Sequence, residues 1–173
     1  DSVASRGLGD VYKRQIYTRL TNPTQDALEE RLASLEGGVA AVAFASGQAA
    51  ETAAILNLAS AGDHIVTSPR LYGGTSTLFT VTLKRLGIDV TLVENPDDPQ
   101  SWQDAVQPNT KAFYGETFGN PVADVLDIPA IAEVAHNNQV PFIVDNTTAT
   151  AALARPLDLS LIHISEPTRR YAI

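Results

Sequence analysis

The chain has 173 residues, with twenty acidic against twelve basic side chains and a formal charge of −8, and it contains neither cysteine nor methionine. Such acidity argues against nucleic acid and anionic membrane as partners, since both recruit a positive surface, and the lack of cysteine excludes a disulfide framework or a thiolate metal site. No apolar run approaches the ~20 residues of a membrane span and no secretory signal is visible, so a cytoplasmic protein is expected.

The two ends stand apart from the rest. Ser5–Gln15 (SRGLGDVYKRQ) and Leu159–Arg169 (LSLIHISEPTR) can be encoded by opposite strands of one stretch of DNA, and that stretch resembles a transposon tag used in building sequencing libraries. Residues 1–15 and 159–173 are therefore set aside as non-native, leaving residues 16–158 as one partial domain. Within Ile16–Asp158, seven basic residues face seventeen acidic ones, a net charge of −10.

In chain order, Asn22-Pro23-Thr24 reads as a helix start with proline in the first turn. Leu28, Leu32 and Leu35 share one face of that helix, and Gly37 closes it. Beyond it, β-branched apolar runs alternate with amphipathic ones, the pattern of βαβ units in a mainly parallel α/β sheet with helices on both faces. Strands are predicted at Val39–Phe44, His64–Thr67, Asp89–Val93, Lys111–Tyr114 and Val140–Val144, and helices at Gly47–Leu58, Ser76–Leu86 and Ile128–Asn137, with Gly87 ending the second. Asn95–Gln100 (NPDDPQ) reads as a surface turn.

Polar motifs follow the apolar runs, where ligands sit in open α/β sheets. Ser46-Gly47-Gln48-Ala49 opens a helix whose free first-turn N–H groups suit a phosphate, and Gly47 has no Cβ to obstruct it. Tyr72, in a Tyr-Gly-Gly turn, offers a ring for stacking and a hydroxyl for proton transfer. Asn120, before Pro121, offers an amide hydrogen to a phenolate-like oxygen. Asp145 ends an apolar strand, where a buried carboxylate needs a cation such as a protonated pyridine nitrogen; capping of the following turn is the competing role. Tyr17 and Arg19 alternate on an extended stretch and could face one phosphate together. Each has an ordinary structural explanation when taken singly. The three histidines, His64, His136 and His163, form no metal or Ser-His-Asp pattern, and no dinucleotide or triphosphate loop motif is present.

Taken in order, YTRLTNPTQDALEERLASLEGG, FASGQAAETAAILNLASAGDHIV, LYGGT, ETFGNP and the Val144-Asp145-Asn146-Thr147 segment resemble the Cys/Met-metabolism family of pyridoxal phosphate enzymes. The likeness is strongest to its branch that transfers sulfide or methanethiol to O-acetyl-L-homoserine. The resemblance implies part of a fold-type-I large domain, with pyridoxal 5′-phosphate as cofactor, an amino-acid substrate, and a homotetramer with shared active sites. It implies that Gly47 and Gln48 bind the cofactor phosphate and that Tyr17 and Arg19 reach the phosphate of a neighbouring subunit. It further implies that Tyr72 stacks on the ring and helps protonate the leaving group, that Asn120 contacts the phenolic oxygen and Asp145 the ring nitrogen, and that Thr147 supports one ring face. The sequence departs from the family chiefly in its lysines: no lysine follows Asp145, while Lys13, Lys84 and Lys111 match no cofactor-bonding position; Ala151 also stands where the family commonly has a proline, and the family's C-terminal small domain is not represented. The expectation is a fragment that lacks this lysine and is inactive by itself. Two other readings stay open, a fragment of cystathionine γ-synthase or methionine γ-lyase, and a non-catalytic small-molecule-binding or scaffolding α/β domain.

Overall fold

The computed structural model describes residues 22–159 and 162–164. The chain separates into two units, residues 1–43 and residues 44–173. In the first unit, helix α1 (Pro23–Glu36) starts as its sequence dictates: the Asn22 side chain accepts from Thr24 N at 2.9 Å, and proline occupies the first turn. It stops at Gly37, whose φ of 73° is left-handed and lets Gly38 N bond back to Ala33 O at 2.8 Å. Leu28 and Leu35 on its predicted apolar face are exposed.

The second unit holds a five-stranded parallel sheet of order β2-β1-β3-β4-β5, formed by β1 (His64–Thr67), β2 (Asp89–Leu92), β3 (Thr110–Glu116), β4 (Phe142–Asp145) and β5 (Ile162–Ile164). The last of these lies in the segment set aside from the sequence reading. Period-two alternation along the strands splits the core in two. Ile65, Ala112, Tyr114 and Ile143 face Ile55 of helix α2 (Gly47–Leu58), together with Leu78, Phe79 and Leu83. Val66, Phe113, Phe142 and Val144 face Trp102 of α5 (Pro99–Asp104) and Ile131 and Ala135 of α6 (Ile128–Asn137). Helices therefore cover both faces, as parallel strands require.

Three departures from the sequence reading have physical causes. Val39–Phe44 forms no strand, and Val39, Val42 and Phe44 are exposed: β-branched residues favour extended backbone, but a strand needs a hydrogen-bonded neighbour, and none pairs there among the described residues. The predicted helix Ser76–Leu86 is built from α3 (Gly73–Thr77), a π-helical turn over Leu78–Thr82 and α4 (Leu83–Arg85). The wider turn, closed by Leu83 N on Leu78 O, buries Leu83 beneath Leu78 and leaves Thr82 outside. The predicted surface turn at Asn95–Gln100 leads directly into α5. Asp98 caps that helix through Gln100 N at 3.0 Å, and Pro99 takes its first turn.

The short helix α5 exists to seat Trp102, which is fully buried, packs against Phe113 and Phe142 at ring-centroid distances of 5.4 and 5.9 Å, and donates Nε1–H to Pro96 O at 3.1 Å. Trp102→Ala is expected to lower unfolding stability by about 3–5 kcal/mol, read from the urea midpoint at unchanged slope.

Candidate active site

The carboxyl ends of the central strands carry the polar motifs, and the register brings them together. Glu116, last in β3, is paired with Asp145, last in β4, and Thr117 N donates to Asp145 O at 2.9 Å. Beside them, α2 begins with Ser46 as its cap, Oγ accepting from Ala49 N at 3.2 Å, while Ala50 N makes the first in-helix bond to Ser46 O. Helix geometry therefore leaves the N–H groups of Gly47 and Gln48 directed out of the N-terminus.

The Gln48 side chain turns inward. Its Nε2 donates to Glu51 Oε2 at 2.9 Å and to Thr75 Oγ1 at 3.2 Å, and Thr75 Oγ1 donates to the Glu51 carboxyl at 3.0 and 3.1 Å. Tyr72, the residue before α3, is 44% exposed, and its backbone N–H donates to Glu116 Oε1 at 2.6 Å. A Cβ on Gly74 would lie 2.8 Å from Tyr72 Cε1 and 3.2 Å from Gln48 Cδ, so glycine lets the side chains of these two motifs take their present close positions. Asp145 is half-buried and its Oδ1 accepts from Thr147 N at 2.9 Å, so the strand-end acid also caps the next turn. Asn146 between them is buried, accepting from Thr117 Oγ1 at 2.7 Å and donating to Ala154 O at 2.9 Å.

Asn120 lies in the loop after β3, exposed, with its backbone N–H on Arg70 O at 3.4 Å. Arg70 pins this loop to the one bearing Tyr72: its guanidinium pairs with Asp97 at 2.9 and 3.0 Å and with Asp124 across the loop. Of the residues singled out in the sequence, Gly47, Gln48, Tyr72, Asp145 and Thr147 fall at one edge of the sheet, and Asn120 is tied to it through Arg70. Tyr17 and Arg19 lie outside the described residues. His64 sits at the amino end of β1, buried, with its ring nitrogens on Thr110 and Thr91 hydroxyls at 2.8 Å. Burial lowers its affinity for a proton.

Three participants escaped the sequence reading. Glu51 is 2% exposed, Tyr114 is fully buried, and Arg70 was not singled out. An acid inside an Ala- and Leu-rich helix was the available signal for Glu51; nothing local marks Tyr114 or Arg70. Burial pushes the Glu51 carboxyl up to about 7 against the Thr75 hydrogen bond, and the charge of Asp145 adds to the rise. Burial likewise pushes Glu116 up to about 7 against the bond from Tyr72 N–H, with Asp145 and Glu51 adding to it. The Tyr114 phenol is raised well above its usual range by burial first and then by the Asp145, Glu51 and Glu116 charges; its hydroxyl lies beside Glu51 without a well-formed bond. Among the described residues, neither Glu51 nor Glu116 forms a salt bridge.

A sequence model of the Cys/Met metabolism PLP-dependent enzymes matches residues 2–165. The O-acetyl-L-homoserine sulfhydrylase of Corynebacterium glutamicum is 79% identical over 144 residues, covering 83% of this chain and 33% of that protein. The enzyme of the same name from Leptospira meyeri is 52% identical over 142 residues, 82% of this chain and 32% of that protein. Among solved structures, a putative O-acetylhomoserine (thiol)-lyase from Campylobacter jejuni, containing N′-pyridoxyl-lysine-5′-monophosphate, superimposes with a TM-score of 0.81 at 41% identity, over 86% of this chain and 37% of that one. This parallel sheet with its helices is the partial large domain of a fold-type-I PLP-dependent transferase. The chain belongs to the Cys/Met metabolism family of PLP-dependent enzymes, and it spans about a third of the length of the curated relatives it matches. Among its described residues, no helix is long and apolar enough to cross a membrane.

The residues present fit the cofactor. First-turn N–H groups of α2 suit a phosphate, Gly74 clears the approach between Tyr72 and Gln48, and an acid stands at the strand end. The carboxyl cluster sets a pH signature. Between about 4.5 and about 7 the unfolded chain has released the protons of Glu51 and Glu116 while the folded chain keeps them. Their contribution therefore makes stability fall as pH rises through that window, with the full penalty in place above it. Glu116→Gln keeps an acceptor for Tyr72 N–H and removes the titration. Its urea midpoint, compared with wild type, is expected to gain progressively from about pH 5 to about pH 8.

Proposed function

We propose that this chain is the cofactor-cradling part of an enzyme that replaces the γ-acetoxy group of O-acetyl-L-homoserine with sulfide or methanethiol, yielding homocysteine or methionine. The observation that carries this reading is the convergence of the α2 N-terminus, the Tyr72 turn and the strand-end acids Glu116 and Asp145, joined through Gln48 to Thr75, Tyr72 N–H to Glu116 and the register of β3 with β4, in a chain 79% identical to an O-acetyl-L-homoserine sulfhydrylase. Gly47 and Gln48 would hold the cofactor phosphate through backbone N–H groups. Asp145 would keep the ring nitrogen protonated, Asn120 would donate its amide to the phenolic oxygen, and Thr147 would support one ring face. Tyr72 would stack on the other face and pass a proton to the departing acetate. Bound pyridoxal phosphate supplies the electron sink for carbanions of the substrate.

Tyr17 and Arg19 would reach the phosphate of a neighbouring subunit, in a cytoplasmic homotetramer that shares its active sites. Lys84 on α4 and Lys111, ion-paired with Asp63 at 3.8 Å, stand away from this edge. The lysine that bonds the cofactor and moves the α-proton is thus work for the whole protein, and the 173-residue chain alone is expected to bind cofactor without turnover.

The test has two arms. Titrated with pyridoxal 5′-phosphate and followed by absorbance, the chain should bind it, and Asp145→Asn should weaken binding by about tenfold or more. The whole protein, given O-acetyl-L-homoserine and sulfide, should release acetate and form homocysteine faster than it consumes cystathionine or methionine. Unaltered binding by Asp145→Asn would reject the cofactor reading; preference for cystathionine or methionine would reassign the reaction.

A further inference from the structure

Loops that leave the carboxyl ends of β1, β2 and β3 meet at Arg70. Its guanidinium forks onto Asp97, beyond β2, with Nη1 to Oδ1 at 2.9 Å and Nη2 to Oδ2 at 3.0 Å, and Nη1 also donates to Asp124, beyond β3. The backbone beneath is fixed as well, because Arg70 N donates to the buried Ser68 Oγ at 3.1 Å and Ser68 N donates to Tyr114 O at 3.2 Å. A second contact runs through Gly119, the residue before Asn120. Its N–H donates to Asp124 O at 2.8 Å and its O accepts from Ala123 N at 2.7 Å, which closes the loop on itself. A Cβ on Gly119 would collide with the Asp124 carboxylate and lie 3.0 Å from Arg70 Cβ, although Gly119 lacks the positive φ that favours glycine. What glycine supplies here is room for Arg70 and Asp124 to pack against the loop. Asn120 N then reaches Arg70 O at 3.4 Å.

The three charged side chains are 31%, 55% and 26% exposed for Arg70, Asp97 and Asp124, and pairs exposed to this degree contribute little to folding. A planar fork supplies direction instead, since it holds two carboxylates at set angles where a point charge would not. We propose that Arg70 is a positioning residue for Asn120: one guanidinium, forked onto Asp97 and paired with Asp124, fixes the Gly119–Asn120 turn relative to Tyr72, two residues along from Arg70, so that the amide and the aromatic ring address one bound ligand. The part played toward the cofactor rests on the function proposed above; the clamp between the loops stands without it.

Two variants open the clamp from opposite sides. Arg70→Lys keeps the charge and loses the fork, and Gly119→Ala inserts a wedge with every charged group in place. In the cofactor-free chain, amide hydrogen exchange should quicken at Gly119 and Ala123 in both variants and stay unchanged along β3 and β4. Titrated with pyridoxal 5′-phosphate, each variant should bind about fivefold or more weakly, as should Asn120→Ala, and Arg70→Lys added to Asn120→Ala should cost nothing further because the lost contact is the same one. With 3-deoxypyridoxal 5′-phosphate, which lacks the phenolic oxygen, Arg70→Lys should bind within about twofold of wild type. An Arg70 that served only the fold would weaken both ligands alike and add its loss to that of Asn120→Ala. Unchanged exchange in both variants, additive losses, or equal weakening toward the two ligands would overturn the proposal. If the loop amides quicken as expected while wild type takes up no pyridoxal 5′-phosphate, the clamp stands and the function proposed above is what fails.

Discussion

Parallel strands must be buried on both faces, and the rest of this structure follows from that constraint. Neighbouring parallel strands run in the same direction, so their carboxyl ends emerge along one edge. Their side chains alternate between two separate cores, one under α2 and the π-turn segment, the other under α5 and α6. What remains for chemistry is the row of residues where each strand runs out. Because Glu116 and Asp145 end adjacent strands in register, two acids stand side by side at that row, and a third arrives from α2.

The acids of this unit fall into two regimes. Toward the surface, Asp97 and Asp124 are matched by one guanidinium, which stiffens two loops at once. Further in, Glu51 and Glu116 receive amide and hydroxyl donors instead, from Gln48, Thr75 and the Tyr72 backbone. Neutral donors satisfy geometry without cancelling charge, so burial lets these carboxyls keep protons that surface acids would release. A fold that holds such groups gives up stability to hold them, the pattern expected where consistency between local preference and function breaks down.

Legibility in the sequence tracks how locally each feature is determined. Helices α2 and α6 could be bounded from their own residues because Ser46 and Asp127 cap them and their lengths are set by the next breaking element. Helix α5 carried the same signals in Asp98 and Pro99, but its brevity and its proline-rich approach gave it the look of a turn. Val39–Phe44 shows the opposite limit, since strand propensity is realised only against a partner. The site divides likewise. Gly47, Gln48, Tyr72, Asp145 and Thr147 sit in turns and at a strand end, where the surrounding residues announce a polar role. Glu51 looks like an exposed helix acid until the Thr75 hydroxyl, twenty-four residues along the chain, is placed against it and the charge of Asp145 acts on it.

Trp102, the sole tryptophan, lies wholly inside the aromatic cluster under α5 and α6, on the face of the sheet opposite Glu51. Its fluorescence is therefore a lamp behind the wall. Fully buried against Phe113 and Phe142, its indole is shielded from collision with a ligand at the strand ends, so energy transfer through the sheet is the route by which a yellow chromophore there would dim it. The protein thus has a built-in ruler of distance between its core and whatever occupies its edge.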